Sequence, residues 1–183
     1  METNQETAGV ERPKTDTLIV YYSMTGNTKK AAERLAEHTM ADLERLNDKC
    51  SYDGTRGKLK LILKSVFRTR AAIYKPEKDL SVYEKAVICT PVYNCSLAPA
   101  VRAYIVSHKD SLALKRVCLV TVSGGTSAEK AACEIEETLG AALAGKCSVY
   151  QDDIETGSYQ QKLDEFAASK IFSQADSGTF AGE

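Results

Sequence analysis

Three short runs of consecutive apolar, largely β-branched residues constrain what this chain can become: 17–22 (TLIVYY), 86–90 (AVICT) and 117–122 (VCLVTV). A run without polar alternation suits a strand covered on both faces, as in a parallel sheet between helix layers. Each run gives way to a loop rich in Gly, Ser, Thr, Asn or Pro, at 23–28, 91–97 and 123–126. Helical patterns fill the intervals. Residues 28–39 carry Ala31, Ala32, Leu35 and Ala36 on one face, and 98–107 and 127–143 read as helices, Gly140 weakening the last turn of the second. Residues 157–172 place Tyr159, Leu163, Phe166 and Ala167 at helical spacing. Weaker strand signals lie at 41–46 and 148–154. The alternation predicts an α/β protein whose open, doubly wound parallel sheet has five strands and about five helices. In such sheets ligands sit beyond the carboxyl ends of the strands, where the strand order switches, and the three polar loops fall at those ends.

At 183 residues the chain suits one domain. We expect that domain at 17–172, between polar, aperiodic and flexible tails at 1–16 and 173–183. No apolar run approaches the ~20 residues of a membrane span, and no secretory leader is visible, so a cytoplasmic protein is expected. Six cysteines lack any C-x-x-C pair, and several sit inside apolar runs, which suits buried free thiols. The formal net charge is -1, but seven of the 24 basic residues crowd into 54–76, which holds no acid. There Lys60, Lys64 and Arg68 run beside a stripe of Leu59, Ile62, Leu63, Val66 and Phe67. This is a basic amphipathic helix, either a solvated face or a contact for an acidic partner, an anionic membrane or RNA. Few aromatics interleave the charges, which disfavours nucleic acid.

The loop Ser23-Met24-Thr25-Gly26-Asn27-Thr28 joins a buried strand to a helix. A helix N-terminus offers unpaired N–H groups and partial positive charge. Gly26 lets the backbone curl around an anion, and the Ser, Thr and Asn side chains can donate hydrogen bonds. The set makes a phosphate cradle, although the same residue types also serve as simple helix caps. Neither a Walker P-loop nor G-x-G-x-x-G is present, and no G-x-S-x-G elbow exists. His38 and His108 lie far apart without cysteines at ligand spacing, so no metal site is expected.

The segment 17–28 (TLIVYYSMTGNT) resembles the first strand and phosphate loop of flavodoxins, an apolar strand followed by S/T-x-T-G-N-T. The resemblance covers about 17–172. It implies a flavodoxin-like fold of strand order 2-1-3-4-5, with FMN as cofactor and its phosphate at Ser23, Met24, Thr25, Gly26, Asn27 and Thr28. Thr90-Pro91-Val92-Tyr93-Asn94-Cys95 is similar to the T-P-V-W-A-G loop of flavodoxin-like families with an insertion after the second strand. By this likeness Pro91, Val92, Tyr93, Asn94 and Cys95 meet the flavin ring, Tyr93 offering a face for stacking. Cys95 stands where the family carries Gly, which puts any tuning by a peptide flip there in doubt. Ser123, Gly124 and Gly125 would form the second ring loop, without the aromatic and acidic residues that short-chain flavodoxins often place there.

The function expected is FMN-dependent electron transport, with no side chain acting as catalytic acid or base and with a redox partner protein or a small-molecule electron acceptor. An FMN-dependent NAD(P)H oxidoreductase acting on quinones or other small acceptors is the alternative, favoured slightly by the near-neutral charge. An interaction module that kept the fold and lost the flavin is the third.

Overall fold

The computed structural model describes residues 15–50, 52, 54–125 and 128–171. Of the expected tails at 1–16 and 173–183, residues 1–14 and 173–183 lie outside them, as does Thr126 of the third loop. Strands β1 (Thr17–Tyr21), β2 (Asp42–Arg45), β3 (Lys85–Tyr93), β4 (Ser96–Leu97), β5 (Arg116–Ser123) and β6 (Gly145–Tyr150) form one sheet. Five pair in parallel in the order β2-β1-β3-β5-β6, while the two-residue β4 runs antiparallel to β3. With β4 set aside, the parallel strands follow the expected 2-1-3-4-5 order.

The helices are α1 (Asn27–Thr39), α2 (Gly54–Val66), α3 (Pro99–Ser107), α4 (Lys109–Ala113), α5 (Glu129–Leu139), α6 (Gln151–Thr156) and α7 (Tyr159–Phe166). Successive strand residues point to opposite faces. Leu18, Val20, Ala86, Ile88 and Leu119 therefore pack beneath Val101, Tyr104 and Ile105 of α3 and Ala132 and Ile135 of α5. Ile19, Val87, Cys89, Cys118 and Val120 pack beneath Ala31, Ala32 and Leu35 of α1 and Leu163 and Phe166 of α7. The continuous apolar runs thus serve two cores at once. All six cysteines are free, with Cys89, Cys118 and Cys147 buried in the second of these layers or beside it.

Three local expectations are corrected. The strand from 86 does not stop before Pro91 but runs on to Tyr93, with Pro91 opposite Val122 on β5 and Val92 and Tyr93 paired with β4. It then turns at Asn94 and Cys95 into β4, so the second loop is a hairpin rather than an open loop. The helix expected at 127–143 ends at Leu139, because Gly140 takes a left-handed conformation (φ 68°) and terminates it. The last strand lies at Gly145–Tyr150 rather than 148–154, and Ile154 belongs to α6. It is an edge strand whose burial alternates, so its apolar pattern is sparser than in the central strands. The apolar stripe at 59–67 belongs to α2 and is exposed, while Leu61 and Ser65 are the helix's buried residues.

A buried ion pair ties this side of the molecule together. Arg102 of α3 and Glu134 of α5 are both about 6% exposed and bonded to each other. Arg102 also donates to the carbonyls of Thr69 (2.9 Å), Ser65 (3.3 Å) and Leu97 (3.4 Å). One guanidinium therefore joins α3 and α5 to the end of α2 and to β4.

Candidate functional site

The carboxyl ends of β1, β3 and β5 converge on a cleft of about 170 Å³. Thr25, Asn27 and Thr28 line one side, Pro91, Val92 and Tyr93 a second, Val122, Ser123 and Gly124 a third, and Gln151 closes it. Residues nominated from three separate loops are thereby brought together by the sheet.

The first loop is organised by the backbone. Gly26 sits at φ 96°, a left-handed state open to glycine at no steric cost, and the Ser23 hydroxyl accepts from the Gly26 N–H at 3.1 Å. Helix α1 starts at Asn27 without a capping side chain. Among the described residues, no side chain accepts from the N–H groups of its first turn. Thr25, Asn27 and Thr28 are therefore not spent on capping, and the positive end of α1 opens at the cleft. Thr28 is 2% exposed yet lines the cleft. No Lys or Arg lies within the loop, so its capacity for an anion comes from neutral donors and the helix dipole.

Ser23 and Met24 border a second, polar cleft of about 260 Å³ with Tyr22, Arg45, Asn47, Asp48, Cys50 and Tyr52. Burial, together with the Asp48 carboxylate, pushes the Tyr22 phenol up to about 12. Burial likewise raises Tyr93, so both phenols are neutral near pH 7. Lys64 of α2 reaches this cleft's rim, 3.4 Å from the Tyr52 hydroxyl and 3.7 Å from Cys50 Sγ.

Asn94 and Cys95 form the turn beyond Tyr93 and are not among the residues lining the central cleft. Both hold positive φ, at 49° and 62°. A two-residue hairpin turn of this kind requires φ > 0 at both positions. Asn tolerates that state, whereas Cys is strained in it by about 1–2 kcal/mol. The backbone at Cys95 thus keeps the conformation that a glycine would take there.

On the far side, Gly124 and Gly125 border a cleft of about 330 Å³ with Tyr150, Gln151, Asp152 and Asp153. An aromatic residue, Tyr150, and two acids, Asp152 and Asp153, thus stand beside this loop at the end of β6 and the start of α6. Asp153 accepts from the Tyr150 N–H at 2.8 Å and from Lys162 at 3.2 Å, which hold its carboxyl below the usual range. Tyr150 had no sequence signal of its own, because its placement depends on where β6 ends. A roomier cleft of about 360 Å³ at Lys75–Ser81, with His108 and Ser111, lies toward the amino ends of β3 and β5, away from the convergent loops.

An open parallel sheet, five parallel strands in this order, and a Ser/Thr/Gly/Asn loop leading into an uncapped helix define the class of flavodoxin-like proteins. The chain belongs to the flavodoxin family: the family model of that description matches residues 16–156. Solved structures agree on the fold. A candidate flavoprotein from Bacteroides eggerthii DSM 20697 superposes with a TM-score of 0.64 at 22% identity, covering 84% of this chain and 98% of that one. A flavoprotein in complex with FMN from Lactobacillus acidophilus NCFM gives 0.59 at 22% identity, covering 79% and 98%. The Trp repressor binding protein from Bacillus subtilis gives 0.51 at 12%, covering 82% and 98%. Among curated proteins, none matches the chain.

Proposed function

We propose that this chain binds FMN at the carboxyl end of its sheet and works as an electron-transfer protein. The observation that carries the reading is the uncapped N-terminus of α1 opening at the same cleft as Tyr93 and Gly124. In this reading the first-turn N–H groups of α1, with Ser23, Thr25, Gly26, Asn27 and Thr28, hold the phosphate. Met24 flanks them. Pro91, Val92, Tyr93, Asn94 and Cys95 border the ring on one side, and Ser123, Gly124 and Gly125 border it on the other. When bound, FMN supplies the redox chemistry, and the chain's own residues bind, orient and shield it. The neutral phenol of Tyr93 gives an uncharged face, and the glycines leave room for close backbone approach. The partner is a redox protein or a small electron acceptor.

A second reading, an FMN-dependent oxidoreductase taking electrons from NAD(P)H, is favoured by the net charge of -1, since dedicated carriers tend to be strongly acidic. The deciding experiment is a visible spectrum of the purified protein before and after FMN is added and the excess removed. Retained flavin bands establish the cofactor, and NAD(P)H turnover with a quinone then separates carrier from reductase. No retained flavin overturns both readings and leaves an interaction module on this fold. Replacing Thr25 and Thr28 with Ala should weaken FMN by about 1–3 kcal/mol for each charge-assisted bond lost.

A further inference from the structure

Helix α2 wears its apolar side outward. At about 100° per residue, Ile62, Val66, Leu59 and Leu63, with Phe67 just past the helix end and bonded through its N–H to the Leu63 carbonyl, form one continuous arc opposite the buried Leu61 and Ser65. All five are exposed, from 39% at Ile62 to 73% at Phe67. Isolated exposed apolar side chains are ordinary, but five on one convex face are a contiguous patch. Lys58 borders the arc on one side and Lys60 on the other, with Arg56 one turn before Lys60. No acid among the described residues forms an ion pair with any of the three, and 54–76 contains none.

We infer that α2 is a membrane-surface anchor, lying in the plane of an anionic lipid headgroup layer with this arc sunk between the lipids. A helix with bulky apolar residues on one arc, Lys at its margins and Arg56 at its amino-terminal end has the composition of an interfacial helix. The lysine stems can lie along the apolar layer while their ammonium groups reach the lipid phosphates. A second copy of the chain is the poorer occupant, because a symmetric contact would set one basic segment against another. The face is also convex, so it suits a soft layer that closes around it better than a rigid surface needing a matching groove. Arg102 bonds the carbonyls of Ser65 and Leu97, so the anchored helix shares a clamp with β4, directly after the Tyr93 turn. The inference stands apart from flavin binding, since none of these residues lines the central cleft.

The test is co-sedimentation of the full chain with vesicles of phosphatidylcholine alone and of phosphatidylcholine mixed with phosphatidylglycerol. Binding to the mixed vesicles, weakened by salt and nearly absent on the neutral ones, is expected. The double variant Leu63→Ser/Phe67→Ser should bind at least about tenfold more weakly. Lys58→Ala and Lys60→Ala should each cost roughly fivefold. Both pairs are on the surface, so thermal melts of the variants should match the parent and separate lost binding from lost folding. The inference is overturned by no binding to the mixed vesicles or by variants that bind as well as the parent. It is equally overturned by concentration-dependent self-association, or by binding to RNA instead, that the double variant abolishes.

Discussion

Helices α1 and α2 are each 13 residues long, each preceded or opened by a glycine of positive φ, and each flank the same sheet, yet they are held by opposite means. Helix α1 buries Thr28, Ala31, Ala32, Leu35 and Thr39, an inward stripe that seats it on the core, and its partly exposed Arg34 adds an ion pair to Asp164 of α7. Helix α2 buries Leu61 and Ser65 and turns its larger apolar side chains to the outside. What fixes its C-terminal end is polar: the carbonyls of Ser65 and Thr69 accept from Arg102, whose charge is balanced by Glu134. The contrast shows that an amphipathic pattern gives the direction of a helix's apolar face only if the core is its sole apolar neighbour. Where a helix is pinned by backbone carbonyls, its apolar face is free to serve another surface.

The comparison breaks most sharply at Glu134. Glu134→Gln leaves the Arg102 guanidinium buried without its counter-charge and should destabilise the protein by about 3–5 kcal/mol. Urea unfolding measures it, and amide exchange should speed up in α2 before α1. A loss under about 1 kcal/mol would mean that the backbone carbonyls suffice and the ion pair is dispensable. Next comes Leu35→Ala on α1, which opens a cavity in a fully buried layer and should cost about 2–5 kcal/mol by the same measurement. Gly57→Ala on α2 sharpens the contrast further. Alanine normally favours a helix over glycine by about 1 kcal/mol. Here a Cβ would stand 2.2 Å from the carbonyl carbon of Tyr52, so the first turn must move away from that backbone. A net loss of about 1–3 kcal/mol is expected, and a gain would mean that α2 and the chain at Tyr52 separate freely.

The central sheet was legible because β1, β3 and β5 are buried on both faces and therefore need uninterrupted apolar runs. The three loops at their ends were legible for the same reason, and Thr25, Asn27, Thr28, Pro91, Val92, Tyr93, Ser123 and Gly124 do meet at one cleft. The edge strand β6 was misplaced because half its residues face solvent, and with it went Tyr150 and Gln151 at its end. The strand through Pro91 was cut short because proline was read as a stop, whereas it costs one ladder donor: Pro91 still stands opposite Val122, and Val92 and Tyr93 pair with β4. The Arg102–Glu134 pair left no local signature: its members are 32 positions apart and each looks like an ordinary charged helix residue. The direction of the α2 stripe was equally hidden, since periodicity gives an arc and not what it faces.

That last ambiguity supplies the smallest expected effect. Leu63 and Leu35 are the same residue type on helices of equal length, and a reading from periodicity treats them alike. In the structure Leu35 is fully buried and Leu63 is 47% exposed. Truncating Leu63 removes no packed neighbour from the core and opens no cavity, and alanine is the better helix former. Leu63→Ala should therefore change stability by no more than about 0.5 kcal/mol in urea. If it instead cost as much as Leu35→Ala, the arc of α2 would be packed against the protein in solution, and the difference between the two helices would disappear. If the two diverge as expected, the apolar arc contributes nothing to folding, and its five large side chains are explained by what α2 meets outside the protein.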